Sequence, residues 1–376
     1  MKTNKYSRSV IFVLVTISVF LLSAKFAEDW VISSWHYDDS WLVELTGYKE
    51  MPSAEEGGSR DPNWDITRYK LILSFLTGEN TGKTLPVEVE QLTGSYLSFE
   101  KGKKYILNVD RFDDGKDLYS LSDVFRFPLV VAFIITTALI VCLIGGKSGT
   151  RAIVSLLLSL LVLVRWALPR ILRGGSPVIT AVLAVSVISA VTTVFVMKDR
   201  KNWPVAFLGA VGGTAAASIL GWAAIKIWQL TGITSEGAPL LAGIMPGISL
   251  KGILLASVII GAIGAVLDVS VSITSAMSEM YEYDRNIEES RLLRAGLSVG
   301  QDILGSMINT LILAYFGSSL VVSLLIGHHA PVFWSILNDP MISSEIVRSL
   351  AGTAGLMLTI PLTALIGSVW IGRTRE

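Results

Sequence analysis

The chain has 376 residues; 51% are hydrophobic and only 16% charged, and mean hydropathy is +0.58. A soluble domain carries about 25% charged residues, so most of this chain avoids water. Lys+Arg and Asp+Glu balance at 31 each, which excludes a global electrostatic pull toward nucleic acid. The single cysteine, Cys142, excludes an intrachain disulfide and a multi-cysteine metal site, and within its apolar run it reads as a small buried hydrophobe.

A membrane-crossing helix needs about 20 mostly apolar residues. The first run, "VIFVLVTISVFLLSAKF" at 10–26, follows Lys2, Lys5 and Arg8. That is the basic-then-apolar order of a signal peptide, yet no A-x-A cleavage site follows. Residues 1–26 are therefore read as an uncleaved signal anchor in preference to a cleaved leader.

Residues 27–125 change character and carry the period of strands. Leu71, Leu73 and Phe75 alternate in "YKLILSF", Val87 and Val89 alternate with Glu88 and Glu90, and Tyr105, Leu107 and Val109 alternate in "KKYILNVD". Gly78, Asn80 and Gly82 supply turn chemistry between the first two runs. A small extracytoplasmic β-domain is expected, either an antiparallel sheet or a barrel of the oligonucleotide-binding shape. Its location outside the cytoplasm argues against a nucleic-acid ligand. The stretch "WHYDDSWLVELTGYKEMPSAEEGGSRDPNW" offers aromatics and acids to a ligand, but it reads first as a surface lead-in.

Residues 126–376 form the expected membrane helix bundle, with apolar runs at 127–145, 152–172, 177–197, 204–228, 252–277, 297–326 and 349–371. With the anchor, the fold class is an α-helical polytopic membrane protein of about eight spans carrying a small β-domain. Positive residues orient it. With the N-terminus inside, Lys147, Arg151, Lys198, Arg200, Lys201, Arg285, Arg291, Arg294 and the terminal "RTRE" are cytoplasmic, against Arg170 and Arg173 outside. Trp166, Trp203, Trp228, Trp334 and Trp370 fall near predicted helix ends, where an interfacial aromatic belt lies.

One stretch breaks the apolar rule. In "GAIGAVLDVSVSITSAMSE", Asp268 is followed by Ser272, Ser275 and Glu279 at spacings of four, seven and eleven, all on one helix face. Gly261 and Gly264 with Ala265 admit a close neighbour upstream. The next span carries Gln301, Asp302, Ser306 and Asn309, with Asp302, Ser306 and Asn309 again sharing a face. Counted from the predicted ends at 277 and 297, Asp268 lies roughly 14 Å and Asp302 roughly 8 Å from the cytoplasmic side. The two carboxylates are therefore expected to face each other across the hairpin. A carboxylate at a helix centre costs about 2.5–3.5 kcal/mol on insertion scales. Protonation, a bound cation or a water-filled pathway would offset that, and each is a feature of ion-coupled transporters. The alternative is a pair of neutral, hydrogen-bonded fasteners between helices.

Other signals are weaker. Gly209, Gly213 and Ala217, spaced by four in "GAVGGTAAASILG", read as a close-packing face and not a phosphate loop. The 231–252 segment, with Glu236, Pro239 and Pro246, is either a re-entrant gate or an interfacial loop. The 297–326 run exceeds one straight crossing, and Gly317 is a candidate break. Pro361 is expected to kink the last helix. His328 and His329, in an outer loop, have no companion ligands at metal spacing. No metalloprotease, nucleophile-elbow or P-loop motif appears, so no enzyme activity, cofactor or metal is expected.

From about residue 70 onward the chain resembles the YibE/F family of bacterial polytopic membrane proteins. The resemblance rests on "FLTGENTGKTLPVEVEQLTG", "GILLASVIIGAIGAVLDVSVSITSAMSE", "VGQDILGSMINTLILAYFGSSL" and "VRSLAGTAGLMLTIPLTALI", in that order. It implies an outer β-domain and about seven spans after the anchor, with Asp268 and Asp302 at the family's acidic positions, and it implies no activity. The residues themselves point to an ion-coupled transporter or ion-conducting protein of the cell membrane, acting on a small solute or ion through Asp268, Asp302, Gln301, Ser272, Ser275, Ser306 and Asn309. The rival is a membrane scaffold or sensor whose outer β-domain binds an envelope protein or ligand.

Overall fold

A computed structural model describes residues 3–35, 39–51, 66–92, 98–111, 117–235, 237–329 and 333–373. The helices are α1 (Thr3–Ser34), α2 (Phe127–Val162), a π-helical turn (Leu163–Ala167), α3 (Leu168–Leu172), α4 (Pro177–Val196), α5 (Trp203–Ile227), α6 (Gly237–Ile244), α7 (Leu250–Tyr283), α8 (Glu289–Ser318), α9 (Leu320–His329), α10 (Phe333–Asn338) and α11 (Pro340–Arg373). The chain divides into two units, Met1–Ile144 and Gly145–Glu376.

In the first unit the predicted alternation becomes a sheet of five antiparallel strands: β1 (Ser40–Glu50), β2 (Ile66–Phe75), β3 (Thr84–Leu92), β4 (Lys104–Arg111) and β5 (Asp117–Val124), in the order β3-β2-β1-β4-β5. β3 and β5, the two ends of that order, come close to one another, so the sheet curls toward a partly open barrel. All the alternating residues expected inside are there: Leu71, Leu73, Phe75, Val87, Val89, Tyr105, Leu107 and Val109 are buried in one cluster. Gly78 and Gly82 take φ of +88° and +80° in the β2–β3 turn, as turn glycines must. The surface lead-in is corrected. Its Ser40–Glu50 portion is β1, the central strand, with Trp41, Val43 and Leu45 in the core. The period-two spacing of those three residues was present in "SWLVEL" and outweighs the neighbouring acids; residues 36–38 and 52–64 of the stretch lie outside the described residues. Lys104 on β4 pairs with Glu28 on α1, and burial lowers the Lys104 ammonium pKa from its ordinary value.

Among the described residues six helical stretches are long and apolar enough to cross a membrane: 127–172, α4, α5, α7, α8 and α11. The first contains two predicted runs. Gly146, at φ 54° and ψ −131°, is not helical and separates 127–145 from 152–172. Further on, Leu168 N–H donates to Leu163 O, five residues back. The cause is Pro169, which has no N–H to donate to Arg165 O and whose ring crowds that carbonyl. Cys142 is half-buried, less enclosed than expected. The predicted first run lies within α1, where side chains up to residue 12 are outside the described set.

The second unit is built around α5, α7 and α11. Gly209, Gly213 and Ala217 do form a close-packing face, seated on Gly355, Thr359 and Thr363 of α11. α11 runs through Pro361 without interruption. The 297–326 run divides at Ser319, the C-cap of α8, two residues beyond the suspected Gly317. His328 belongs to α9, not to a loop. The 231–252 segment contains the short α6, which exposes Leu240 and Ile244; Glu236 and residues 374–376 lie outside the described residues.

At one end of this unit Asn202, 1% exposed, donates through Nδ2 to Asp199 Oδ2 and to Ser278 Oγ, each at 2.8 Å. It ties the start of α5 to α7. Asn202→Ala leaves both acceptors without that donor, and a loss of about 1–3 kcal/mol is expected. Thermal unfolding of the purified variant in detergent checks it.

Candidate functional site

An α-helix turns about 100° per residue. On α7 this places Ser257, Gly261, Gly264, Asp268, Ser272, Ser275 and Glu279 within an arc of about 80°. The opposite side carries Leu255, Ile259, Val266, Ile273 and Met277 into the bundle core. The helix is thus divided lengthwise into an apolar face that packs in the bundle core and a polar, small-residue face outside that core. Asp268, Ser272 and Glu279 are exposed, and Ser275 is half-buried.

Asp268 lies near the midpoint of α7, roughly 27 Å from Leu250 and roughly 22 Å from Tyr283. Among the described residues it has no hydrogen-bond or ion-pair partner. The nearby hydroxyls are engaged elsewhere: Ser270 Oγ donates to Leu267 O at 3.0 Å and Thr274 Oγ1 to Ser270 O at 2.7 Å. A fastener needs a partner, and none is present among the described residues.

Asp302 lies at a similar level, roughly 20 Å along α8 from Glu289. The expected pairing with Asp268 is corrected, however. α8 packs through Leu292, Gly296, Gly300, Leu311 and Tyr315, where a Cβ on Gly296 would meet Met277 and one on Gly300 would meet Ile360 and Ile273. Gln301, Asp302, Ser306 and Asn309 are all exposed; Asp302, Ser306 and Asn309 lie about 120–180° round the helix from Gly300, and Gln301 lies at the edge of the packed side, about 40° from Tyr315. The spacing rule grouped Asp302, Ser306 and Asn309 correctly on one face. It says nothing about where that face points, and the glycines at 296 and 300 decide that by admitting neighbours against the α8 backbone. Ser306 and Thr310 turn their hydroxyls back to Ile303 O and Ser306 O.

A second polar group was missed because α11 starts at Pro340 rather than 349. Glu345 and Arg348 therefore belong to the helix, one turn apart. Arg348 Nη1 donates to Glu345 Oε1 at 2.5 Å and its Nε to Ser257 Oγ at 3.1 Å, with the two charged side chains 18% and 20% exposed. Glu345 Oε2 is buried and accepts no hydrogen bond within the described residues. Tyr315 of α8 reaches over Gly261, where an added Cβ would sit 2.3 Å from the hydroxyl. The legible signal was an acid and a base three apart, just ahead of an apolar run. Beside them a cleft of about 540 Å³, lined by Trp228, Gln229, Thr231, Asn338 and Ser343, opens between the ends of α5 and α11.

The polar face of α7 thus runs from the Arg348–Glu345 pair at Ser257, past Tyr315 and two glycines, through Asp268 to Glu279. Residues 133–373 match the profile of the YibE/F-like proteins, a span that holds all of α7, α8 and α11 and begins after the β-domain, later than the residue 70 suggested by the sequence blocks. No curated protein and no solved structure matches the chain. With this bundle matched nearly from end to end, the chain belongs to the family of YibE/F-like proteins.

Proposed function

We propose that this is a multi-pass protein of the cell membrane that moves protons or small monovalent cations, with the polar face of α7 as the path and Asp268 as its central carrier. Both termini are cytoplasmic in this reading and residues 27–125 are extracytoplasmic, following the distribution of Lys and Arg. The carrying observation is Asp268 itself, a carboxylate halfway along an apolar helix with no partner among the described residues. A charge at that depth costs about 2.5–3.5 kcal/mol on insertion scales, so the site is covered or hydrated in the bilayer. The flanking Ser272, Ser275, Gly264 and Gly261 fit that reading, since hydroxyls ligate water or ions and glycines leave room for them. Asp302, Ser306 and Asn309 are left out of this path, since they lie about 120–180° round α8 from Tyr315.

The test is flux in liposomes. Purified protein reconstituted with a trapped pH dye, or with trapped Na⁺ or K⁺, is expected to dissipate an imposed gradient. Asp268→Asn is expected to abolish that flux while eluting as the native species on size exclusion, and Asp302→Asn is expected to retain it. Wild-type protein that carries neither protons nor these cations, or an Asp268→Asn variant as active as wild type, rules the proposal out. Loss of function only on deletion of residues 27–120 favours the scaffold or sensor reading instead.

A further inference from the structure

A groove of about 520 Å³ opens where α4, α5 and α7 meet at one end of the bundle, and lysines from two different helices converge on it. Lys226 stands in the last turn of α5 and Lys251 in the first turn of α7. Val178, Trp222, Ile225 and Leu255 form the wall beside them. Trp222 precedes Lys226 by one turn, and Leu255 follows Lys251 by one turn. On both helices an apolar side chain therefore lies about 6 Å nearer the helix middle than the cation. The groove is graded, with charge at its mouth and hydrocarbon beneath. Further in, the apolar surface continues through exposed Ile219 on α5 and Val182 on α4. Leu255 lies about 140–160° round α7 from Asp268 and Ser257, so this groove is separate from the polar face.

Its charge is unbalanced. Among the described residues no carboxylate lines the groove, and neither ammonium has a carboxylate partner. Lys226 Nζ lies 5.2 Å from the centroid of the Trp222 ring, which positions the ammonium without neutralising it. A cation in the last turn of a helix is favoured by the helix dipole, which accounts for Lys226. Lys251 sits in a first turn, where the same dipole opposes it. Snorkelling accounts for single lysines at helix ends, and not for two that meet at one cavity from separate helices. An occupant has to answer both halves of the groove. A free phosphate answers the lysines and leaves the hydrocarbon wall unused. A lipid without net charge covers the wall and leaves the lysines unbalanced.

We propose that the α4–α5–α7 groove binds an anionic phospholipid, with its phosphate at Lys226 and Lys251 and an acyl chain along Trp222, Ile225 and Leu255. This rests on the reading of the bundle as membrane-embedded, and not on the reading of α7 as a transport path.

The experiment is native mass spectrometry of the full chain in detergent, titrated with dioleoyl phosphatidylglycerol and, in parallel, with dioleoyl phosphatidylcholine. Wild type is expected to hold phosphatidylglycerol at least about ten-fold more tightly. Lys226→Gln and Lys251→Gln are each expected to weaken it by about five-fold and the double variant by about twenty-fold, with phosphatidylcholine unchanged. Replacing both lysines by arginine is expected to preserve the preference. Lys201→Gln, beyond the other end of α5, controls for unspecific attraction and is expected to change nothing. If the double glutamine variant does not fold, the single variants decide. Excess inorganic phosphate or glycerol 3-phosphate is expected not to displace the lipid, and displacement by either identifies a free-phosphate site and overturns the proposal. Equal affinity for the two lipids, retention unchanged in both Lys226→Gln and Lys251→Gln, or an equal loss in Lys201→Gln overturns it too. A chain washed off membranes by alkaline carbonate defeats the membrane reading itself. A chain that stays embedded and ignores the headgroup defeats this proposal alone.

Discussion

Gly355→Leu is expected to leave no stably folded bundle, and Gly355→Ala to destabilise it by about 1–3 kcal/mol, the usual cost of overpacking a filled core. The α5–α11 contact is built without side-chain spacers. A Cβ on Gly355 would lie 2.6 Å from Ala217 Cβ and 2.8 Å from Gly213 O, and the second of these is backbone that no rotamer change can clear. Across the seam a Cβ on Gly213 would lie 1.7 Å from Thr359 Oγ1, whose hydroxyl already donates to Gly355 O at 2.8 Å. Each helix thus fills the gap the other leaves, and the two must part for any added atom. The measurement is the thermal unfolding midpoint in detergent, with Gly305→Ala as control. An added Cβ at Gly305 meets nothing within 4 Å, and alanine is the better helix former by about 1 kcal/mol, so that control is expected to be neutral or stabilising. Equal midpoints for Gly355→Ala and Gly305→Ala disprove the close-contact account.

Trp41→Ala is expected to cost the β-domain about 3–5 kcal/mol, which exceeds what a small sheet can lose. Trp41 is 3% exposed on the central strand, edge-on to Phe75 at 5.8 Å between ring centroids and tilted against Tyr119 at 6.3 Å. It also forms the floor of the β2–β3 turn, where a Cβ on Gly78 would fall 2.4 Å from the indole. Its removal strips packing from the strand core and the turn together. Amide hydrogen exchange on the full chain reads the outcome. Protection is expected to collapse over 66–92 and 104–124, while α5, α7 and α11 keep theirs. Protection retained across β2 and β3 counts against the assignment of Trp41 as the keystone of this sheet.

Most helices were legible because lipid imposes a length and a composition that a chain cannot disguise: α4 and α5 match their predicted runs to within a residue or two at each end. Their ends facing water were not so constrained. α7 continues to Tyr283, α8 starts at Glu289 and α11 starts at Pro340, because charged residues that disqualify a lipid-facing segment are good helix formers in water. That rule concealed Glu345 and Arg348. In the β-domain, alternation revealed parts of β2, β3 and β4, but Trp41 and its neighbours were read as a surface lead-in when their periodicity already marked a strand. For the site, helical spacing found the stripe on α7 and the stripe on α8 equally well. Only the location of small residues against neighbours, Gly296 and Gly300 above all, told that one face runs beside Tyr315 and the other turns outward.

The shallow seating of α8 has a mechanical consequence. Its fully buried residues, Leu292, Gly296 and Gly300, all fall in the first half of the helix, whereas α7 is buried along its length and α5 and α11 interlock. Beyond Gly300 the helix meets its neighbours through longer side chains, Leu311 reaching Gly352 and Tyr315 reaching Gly261. Its near end is thus fixed by backbone lying close against side chains, and its far end by the reach of those side chains.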